Sequence, residues 1–110
     1  MRIYVAGPVS KGDQFLNCRA AYIAAAELMA AGHEPFVPHL SFPIHMLAPQ
    51  EYERWMQWDF AWLAQCEAIL RLDGESPGAD REVAEAERLG LALYFGNAGL
   101  GRLKANVIAV

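Results

Sequence analysis

Cysteine and positive charge are both scarce in this sequence. The two cysteines, Cys18 and Cys66, form no Cys-x-x-Cys pair and have no histidine-rich surroundings, so neither a disulfide framework nor a zinc site is predicted. Nine Lys and Arg residues face thirteen Asp and Glu residues, which leaves a net charge of −4. Binding a nucleic-acid backbone requires clustered positive charge, so no nucleic-acid partner is expected. A small anionic ligand remains compatible, because a helix N-terminus can hold phosphate without a basic surface.

Long apolar runs are absent as well. No stretch reaches the ~20 apolar residues that cross a bilayer, and the apolar opening at residues 3–6 is too short for a signal peptide. We therefore expect a cytoplasmic protein without a membrane partner. The 110 residues are 55% hydrophobic and 20% charged, which is enough apolar material for a core and argues against disorder. This composition predicts one domain over residues 1–110, and its small size favours a homodimer or larger homo-oligomer.

Short apolar runs alternate with helical periodicity along the chain. The runs predict strands at residues 2–6, 34–37, 68–72 and 91–95, and the periodic segments predict helices at about 13–31, 50–65 and 80–89. Residues 38–49 and 73–79 are expected to be loops, because they are rich in Pro, His, Gly and Ser. The tail from Gly96 is ambiguous, and residues 107–110 fit either a fifth strand or a docking segment.

The predicted strands are continuously apolar, which is typical of a parallel sheet covered on both faces. The expected fold class is therefore α/β, a single-domain Rossmann-like sandwich of four to five mostly parallel strands with helices on both faces. In such sheets the ligand binds beyond the carboxyl ends of the strands. The candidate ligand loops are then residues 7–13, 38–49 and 73–82.

Glu82 is an acid beside the apolar stripe of the predicted third helix. The stripe consists of Ala79, Val83, Ala86 and Gly90, spaced to face the sheet. Glu82 lies on its shoulder, in the first turn and next to a candidate ligand loop. Acids in a first turn also complement the helix dipole, so a purely structural role is left open.

Asp59 is a second acid in an apolar setting. It shares one face of the predicted second helix with Trp55, Trp62, Leu63 and Cys66. Burial of this kind raises the pKa of a carboxyl group, which suits a proton donor near neutral pH. The alternative is that Asp59 caps a backbone group or pairs with an arginine.

Two carboxyl groups from neighbouring helices can divide the work of breaking a glycosidic bond. One attacks the sugar carbon and the other protonates the leaving group. The loop before Glu82 adds a possible anion cradle, in which Ser76 offers a hydroxyl group and Gly78 lets the backbone approach closely.

Together these residues resemble the nucleoside 2-deoxyribosyltransferase superfamily over residues 3 to about 95. Residues 3–8, Ile-Tyr-Val-Ala-Gly-Pro, are similar to the family's opening strand and glycine turn. Residues 59–67 are similar to its helix-to-strand segment, and Ser76-x-Gly78-x-x-x-Glu82 is similar to its nucleophile motif. The likeness is greatest to the 2′-deoxynucleoside 5′-phosphate N-hydrolases and to a short, often phage-associated branch.

The resemblance implies catalytic and substrate-binding roles for specific residues. Glu82 would be the nucleophile, Asp59 the general acid, and Tyr4 the residue that orients Glu82. The expected substrate-binding residues are Gly7, Pro8, Lys11, His39, Ser76 and Gly78. Of these, Ser76 is informative, because the monophosphate hydrolases have a phosphate-binding Ser where the nucleoside transferases have an acid.

The resemblance thus implies an enzyme that cleaves the base–sugar bond of a (deoxy)nucleoside 5′-monophosphate through a covalent glycosyl-Glu82 intermediate. Neither a cofactor nor a metal is expected, and the partner is the nucleotide itself. A structural or partner-binding protein, in which Asp59 and Glu82 only cap or pair, stays open, and so do two alternatives that act on nucleosides or nucleotides. The first is a deoxyribosyltransferase that exchanges bases, and the second is a non-catalytic module that binds or senses nucleotides.

Overall fold

The computed structural model describes residues 1–105 of the chain. They form four strands, five α-helices and one short 3₁₀ helix. In chain order these are β1 (Arg2–Ala6), α1 (Gln14–Ala30), β2 (Glu34–Phe36), the 3₁₀ helix (Pro38–Ser41), α2 (Phe42–Leu47), α3 (Tyr52–Leu63), β3 (Ala68–Arg71), α4 (Pro77–Arg88), β4 (Ala92–Phe95) and α5 (Gly96–Ala105).

The four strands form one parallel sheet in the order β2-β1-β3-β4. Helices α1 and α5 pack on one face of this sheet, and α3 and α4 pack on the other. The predicted α/β fold with helices on both faces is therefore confirmed. The predicted fifth strand at residues 107–110 lies outside the described residues.

Each face of the sheet has its own core, because alternate side chains of a strand point to opposite faces. Ile3 and Val5 of β1 pack with Leu28 of α1 and Leu103 of α5 in an apolar cluster. Tyr4, between them in sequence, packs on the other face in a cluster formed with α3 and α4. Residues Ile3 to Ala6 are all fully buried, so β1 is the centre of the molecule.

Helix α1 begins and ends as its flanking residues predict. The carboxylate of Asp13 accepts a hydrogen bond from the backbone N–H of Leu16 at 3.0 Å, so Asp13 is the N-cap. After the helix, Gly32 has a φ of +89°, a left-handed conformation that favours glycine.

Two predicted loops are partly helical. Residues 38–49 contain the 3₁₀ helix and α2, because prolines near the first turn of each element are compatible with helical backbone. Helix α4 begins at Pro77 instead of Asp80. Ser76 is its N-cap, and Pro77 occupies the first helical position, where a missing N–H costs nothing.

The ambiguous segment after β4 is helical. Helix α5 covers Gly96–Ala105 and places Leu103 in the apolar cluster beneath α1. Gly99 packs directly against β4, since a Cβ at this position would lie 2.9 Å from the carbonyl carbon of Tyr94. Among residues 1–105, no helix is both long and apolar enough to span a membrane.

Candidate active site

A cavity of about 650 Å³ opens beyond the carboxyl ends of the strands. The chain leaves β1 towards β2 but leaves β3 towards β4, so the connections diverge and a crevice opens between them. All three predicted ligand loops contribute to it. The cavity is lined by Gly7, Val9, Ser10, Lys11, Pro38, Ser41, Phe42, His45, Gln50, Tyr52, Trp55, Met56, Asp59, Ser76, Pro77, Gly78, Ala79 and Glu82.

Glu82 is a buried acid at the floor of this cavity. It lies in the second turn of α4 and is only 4% exposed. The hydroxyl group of Tyr4 donates a hydrogen bond to Oε2 of Glu82. Burial, followed by the nearby charge of Asp59, raises the pKa of Glu82 well above its usual range, and the bond from Tyr4 opposes that rise.

Tyr4 holds Glu82 from beneath the cavity. Its side chain is fully buried, and burial together with the charges of Glu82 and Asp59 raises its pKa well above its usual range. The phenol therefore stays protonated and can donate to Glu82 at any physiological pH. This contact agrees with the orienting role that the resemblance implies for Tyr4.

Asp59 brings a second carboxyl group to the same point from α3. It lies close enough to Glu82 for the two groups to interact through a hydrogen bond, and it also interacts with the Tyr4 hydroxyl. Burial raises the pKa of Asp59 to about 6, despite the opposing effect of those hydrogen bonds. The two acids thus converge as the sequence predicted, and they can share a proton.

Arg71, which sequence analysis did not select, supplies positive charge behind this pair. It ends β3, and its guanidinium contacts Oδ1 of Asp80 at 2.9 Å. Its charge favours the ionised form of Glu82. The sequence does contain a signal that could have identified Arg71, because it is a charged residue in an otherwise apolar predicted strand, next to a candidate ligand loop.

The start of α4 forms a polar rim on the cavity. Ser76 is buried, and its hydroxyl oxygen accepts a hydrogen bond from the backbone N–H of Ala79 at 3.0 Å. That geometry leaves the hydroxyl hydrogen free to donate. Gly78 lies against Tyr52, because a Cβ at Gly78 would be 3.3 Å from the Tyr52 hydroxyl.

Of the remaining predicted site residues, two line the cavity and two lie outside its lining. Gly7 and Lys11 line the cavity, whereas Pro8 and His39 do not. His39 is buried, and its Nε2 lies 2.9 Å from the carbonyl oxygen of Pro8. This contact braces the loop that carries Gly7, and the contact of Pro8 and His39 with substrate stays a prediction.

One wall of the cavity is aromatic and was not predicted as a unit. Tyr52, Trp55, Met56 and Asp59 face the cavity from α3, with spacings of three and four residues that put them on one side of the helix. That periodicity was readable in the sequence. Its assignment to a cavity was not, because the same pattern is equally typical of a helix packed on a core.

The arrangement is suited to nucleophilic and acid–base chemistry. A buried carboxylate held by a phenol can attack an electrophilic carbon, and its neighbour can hand a proton to the departing group. Among the described residues, no group of three or more His, Cys, Asp or Glu side chains could hold a metal ion.

Comparison with known structures defines the class of fold. The chain is similar to the 2-desoxiribosyltransferase from Leishmania mexicana, with a TM-score of 0.64 and 20% sequence identity. The likeness covers 86% of this chain and 62% of the other, so the chain spans less than two thirds of that protein's length. The protein therefore has the nucleoside 2-deoxyribosyltransferase fold.

Comparison with protein families assigns the chain more closely. The model described as "Domain of unknown function (DUF7768)" matches residues 1–95, and the chain belongs to this family. The matched region contains β1 to β4 and every residue that lines the cavity. No curated protein matches the sequence significantly.

Proposed function

We propose that the protein is an N-glycosidase that cleaves the base–sugar bond of a (deoxy)nucleoside 5′-monophosphate through a glycosyl ester of Glu82. The observation that carries this proposal is the convergence of two carboxyl groups on one cavity, the buried Glu82 and the half-buried Asp59, with Tyr4 donating to Glu82. The deoxyribosyltransferase fold supports the same class of chemistry.

In the first step Glu82 attacks the sugar. One of its carboxylate oxygens bonds to the anomeric carbon C1′ as the bond from C1′ to the base nitrogen breaks. The electron pair of that bond remains on the base, which takes a proton from Asp59. The transition state is oxocarbenium-like, so a nearby carboxylate stabilises it electrostatically before the covalent bond is complete.

In the second step water releases the sugar. Its oxygen bonds to C1′ as the ester bond breaks, and the bonding pair returns to Glu82. Asp59, now ionised, accepts the proton that the water loses. Both groups end in their starting states, and the sugar keeps its original anomeric configuration because C1′ is inverted twice.

The proton inventory of the pair suits this sequence of steps. One proton shared between Glu82 and Asp59 leaves one group as a nucleophile and the other as an acid. The Tyr4 hydroxyl and the Arg71 guanidinium both stabilise the ionised form of Glu82, whereas burial and Asp59 stabilise its neutral form. In the reactive complex Glu82 must be ionised, so the shared proton must then lie on Asp59.

The 5′-phosphate is assigned to the start of α4. Ser76 has a free hydroxyl hydrogen there, and the backbone N–H of Gly78 has no hydrogen-bond partner among the described residues. The helix dipole favours an anion at this end. Lys11, on the opposite loop, lines the same cavity and forms no ion pair within residues 1–105.

The cavity also has the size and lining that a nucleotide needs. About 650 Å³ lies within the range of roughly 300–1,000 Å³ that small-molecule sites occupy. Phe42, Tyr52 and Trp55 offer aromatic surface for the base, while the carboxyl pair and Ser76 offer polar contacts to sugar and phosphate.

A panel of ribo- and deoxynucleoside monophosphates tests the proposal. The protein is incubated with each, and free base is measured by chromatography. We expect release from at least one nucleotide and no release by Glu82→Gln. Nucleotide binding without release by the unmodified protein would instead favour a sensing module.

Transfer to a second base is the other candidate, because the similar solved structure is a 2-desoxiribosyltransferase. Adding a different free base to an active reaction distinguishes the two. A new nucleotide would indicate transfer, whereas free sugar phosphate alone would indicate hydrolysis.

A further inference from the structure

His45 lies on α2 and lines the cavity, although no role for it follows from the catalytic pair. Its Nδ1 is within hydrogen-bond distance of two groups. The indole Nε1 of Trp55 lies 2.8 Å away, and the backbone nitrogen of Gln50 lies 3.2 Å away. The imidazole and indole rings also meet edge to face, with centroids 5.8 Å apart.

These contacts determine which ring nitrogen carries the proton. An indole N–H and a backbone N–H can only donate, so Nδ1 must be an acceptor and carries no hydrogen. The proton of the neutral ring is therefore on Nε2. Among residues 1–105, Nε2 has no hydrogen-bond partner, so a residue that lines the cavity keeps a free donor.

The position of this donor relative to Asp59 is set by helix α3. Trp55, which holds the imidazole, precedes Asp59 by one turn, about 6 Å along the helix axis. Because Asp59, Trp55 and His45 line the same cavity, we place a base that Asp59 protonates along this wall, between Asp59 and His45. The far edge of a base ring is then the part of the substrate nearest to Nε2.

We infer that His45 selects the base, by donating from Nε2 to an acceptor on its edge, either a carbonyl oxygen or an unprotonated ring nitrogen. A base with an N–H at that position is rejected, because two donors would face each other. Trp55 is a positioning residue that maintains the tautomer. This inference rests on the proposed function.

The test measures binding to a protein that does not turn over. Calorimetry with Glu82→Gln gives the affinity for each nucleotide that the unmodified protein accepts, and for analogues that each lack one acceptor. The 3-deaza and 7-deaza purines each replace one unprotonated ring nitrogen with C–H. In 2-aminopurine and pyrimidin-2-one a carbonyl oxygen of guanine or uracil is lost, and the adjacent ring N–H also becomes an acceptor, so these two are compared with the deaza analogues. The same titrations are repeated with Glu82→Gln combined with His45→Asn.

Asparagine is chosen because its amide oxygen can replace Nδ1 as the acceptor for Trp55 and Gln50, while nothing replaces Nε2. With His45 present, we expect one analogue to bind about tenfold more weakly than its parent, the effect of one hydrogen bond. With His45→Asn that difference should fall below about twofold. His45→Gln, whose amide nitrogen lies near the position of Nε2, should restore part of it.

Ser41→Ala is the matched control, because Ser41 lines the same cavity and its side chain makes no capping hydrogen bond. It should leave every parent-to-analogue ratio unchanged. Equal ratios with His45 and with His45→Asn for all analogues would overturn the inference and leave the proposed function intact. No binding of any nucleotide to Glu82→Gln or to the unmodified protein would overturn the proposed function itself.

Discussion

The two faces of strand β1 differ in chemistry although they alternate residue by residue. Ile3 and Val5 face α1 and α5 in a cluster made only of apolar side chains. Tyr4 faces α3 and α4, where its hydroxyl meets two carboxyl groups. The first face gains stability mainly from the burial of apolar surface, whereas the second keeps ionisable groups out of water at a cost in stability.

This difference separates folding from function within one small sheet. On the α1 face, burial of apolar side chains stabilises the fold. On the other face, burial of Asp59 and Glu82 raises their pKa values. The packing that raises these pKa values, and so allows the two acids to share a proton, also makes their charged forms costly to bury. Substitutions on the two faces should accordingly have opposite effects on activity and stability.

The largest effect is expected for Glu82→Gln. Because the amide cannot attack C1′, release of free base should fall by at least about 10³-fold, while the fold is retained. Glu87→Gln, on the same helix but exposed, is the control and should keep full activity. Substantial activity in Glu82→Gln would contradict the assignment of the nucleophile.

Leu28→Ala should show the reverse pattern on the apolar face. Leu28 is fully buried, and its truncation is expected to lower the free energy of unfolding by about 2–5 kcal/mol. Denaturant titration measures this change, and activity per folded molecule should stay the same. Leu16→Ala on the same helix, at an exposed position, should cost far less. A loss of activity without a loss of stability would break the separation of the two faces.

Tyr4→Phe tests the contact between β1 and the carboxyl pair. Losing a hydrogen bond to a charged group costs about 1.5–3 kcal/mol, so kcat should fall about 10- to 100-fold. Tyr94→Phe is a matched control, because Tyr94 packs against the apolar cluster on the other face. If both variants lose activity equally, the Tyr4 hydroxyl has no specific role.

The pH dependence of stability should show the smallest effect. Both pKa values are raised in the folded state, so the folded protein binds protons more tightly than the unfolded chain. The stabilisation from this source is complete below pH 4. It is lost for Asp59 as the pH rises through about 6, and for Glu82 as the pH rises through its own raised pKa. Unfolding titrations from pH 4 to 8 should therefore give a steeper decline for the unmodified protein than for Glu82→Gln.

Much of the fold was predictable from local patterns. The four described strands and the three predicted helices lie where apolar runs and helical spacing put them, within a few residues. Such patterns suffice because a strand buried on both faces must be continuously apolar. The helical turns at residues 38–47 were missed because Pro and His indicate loops as readily as helix starts.

The candidate site was predictable only in part. Glu82 and Asp59 stood out because each is an acid on an apolar helix face. His39 and His45 both lie in the segment 38–49 that the sequence predicts to be a loop, and the structure gives them different surroundings. His39 is buried beneath the cavity with its Nε2 facing Pro8, whereas His45 lines the cavity wall.

The sequence by itself determined the alternation of strands and helices and the residue types available for chemistry, because both depend on neighbours a few positions apart. The tertiary structure alone decided which of those residues meet. Tyr4 and Glu82 are separated by 78 positions along the chain, and the tautomer of His45 depends on a tryptophan from another helix. Distances of that kind depend on how the helices pack on the sheet, which no local pattern encodes.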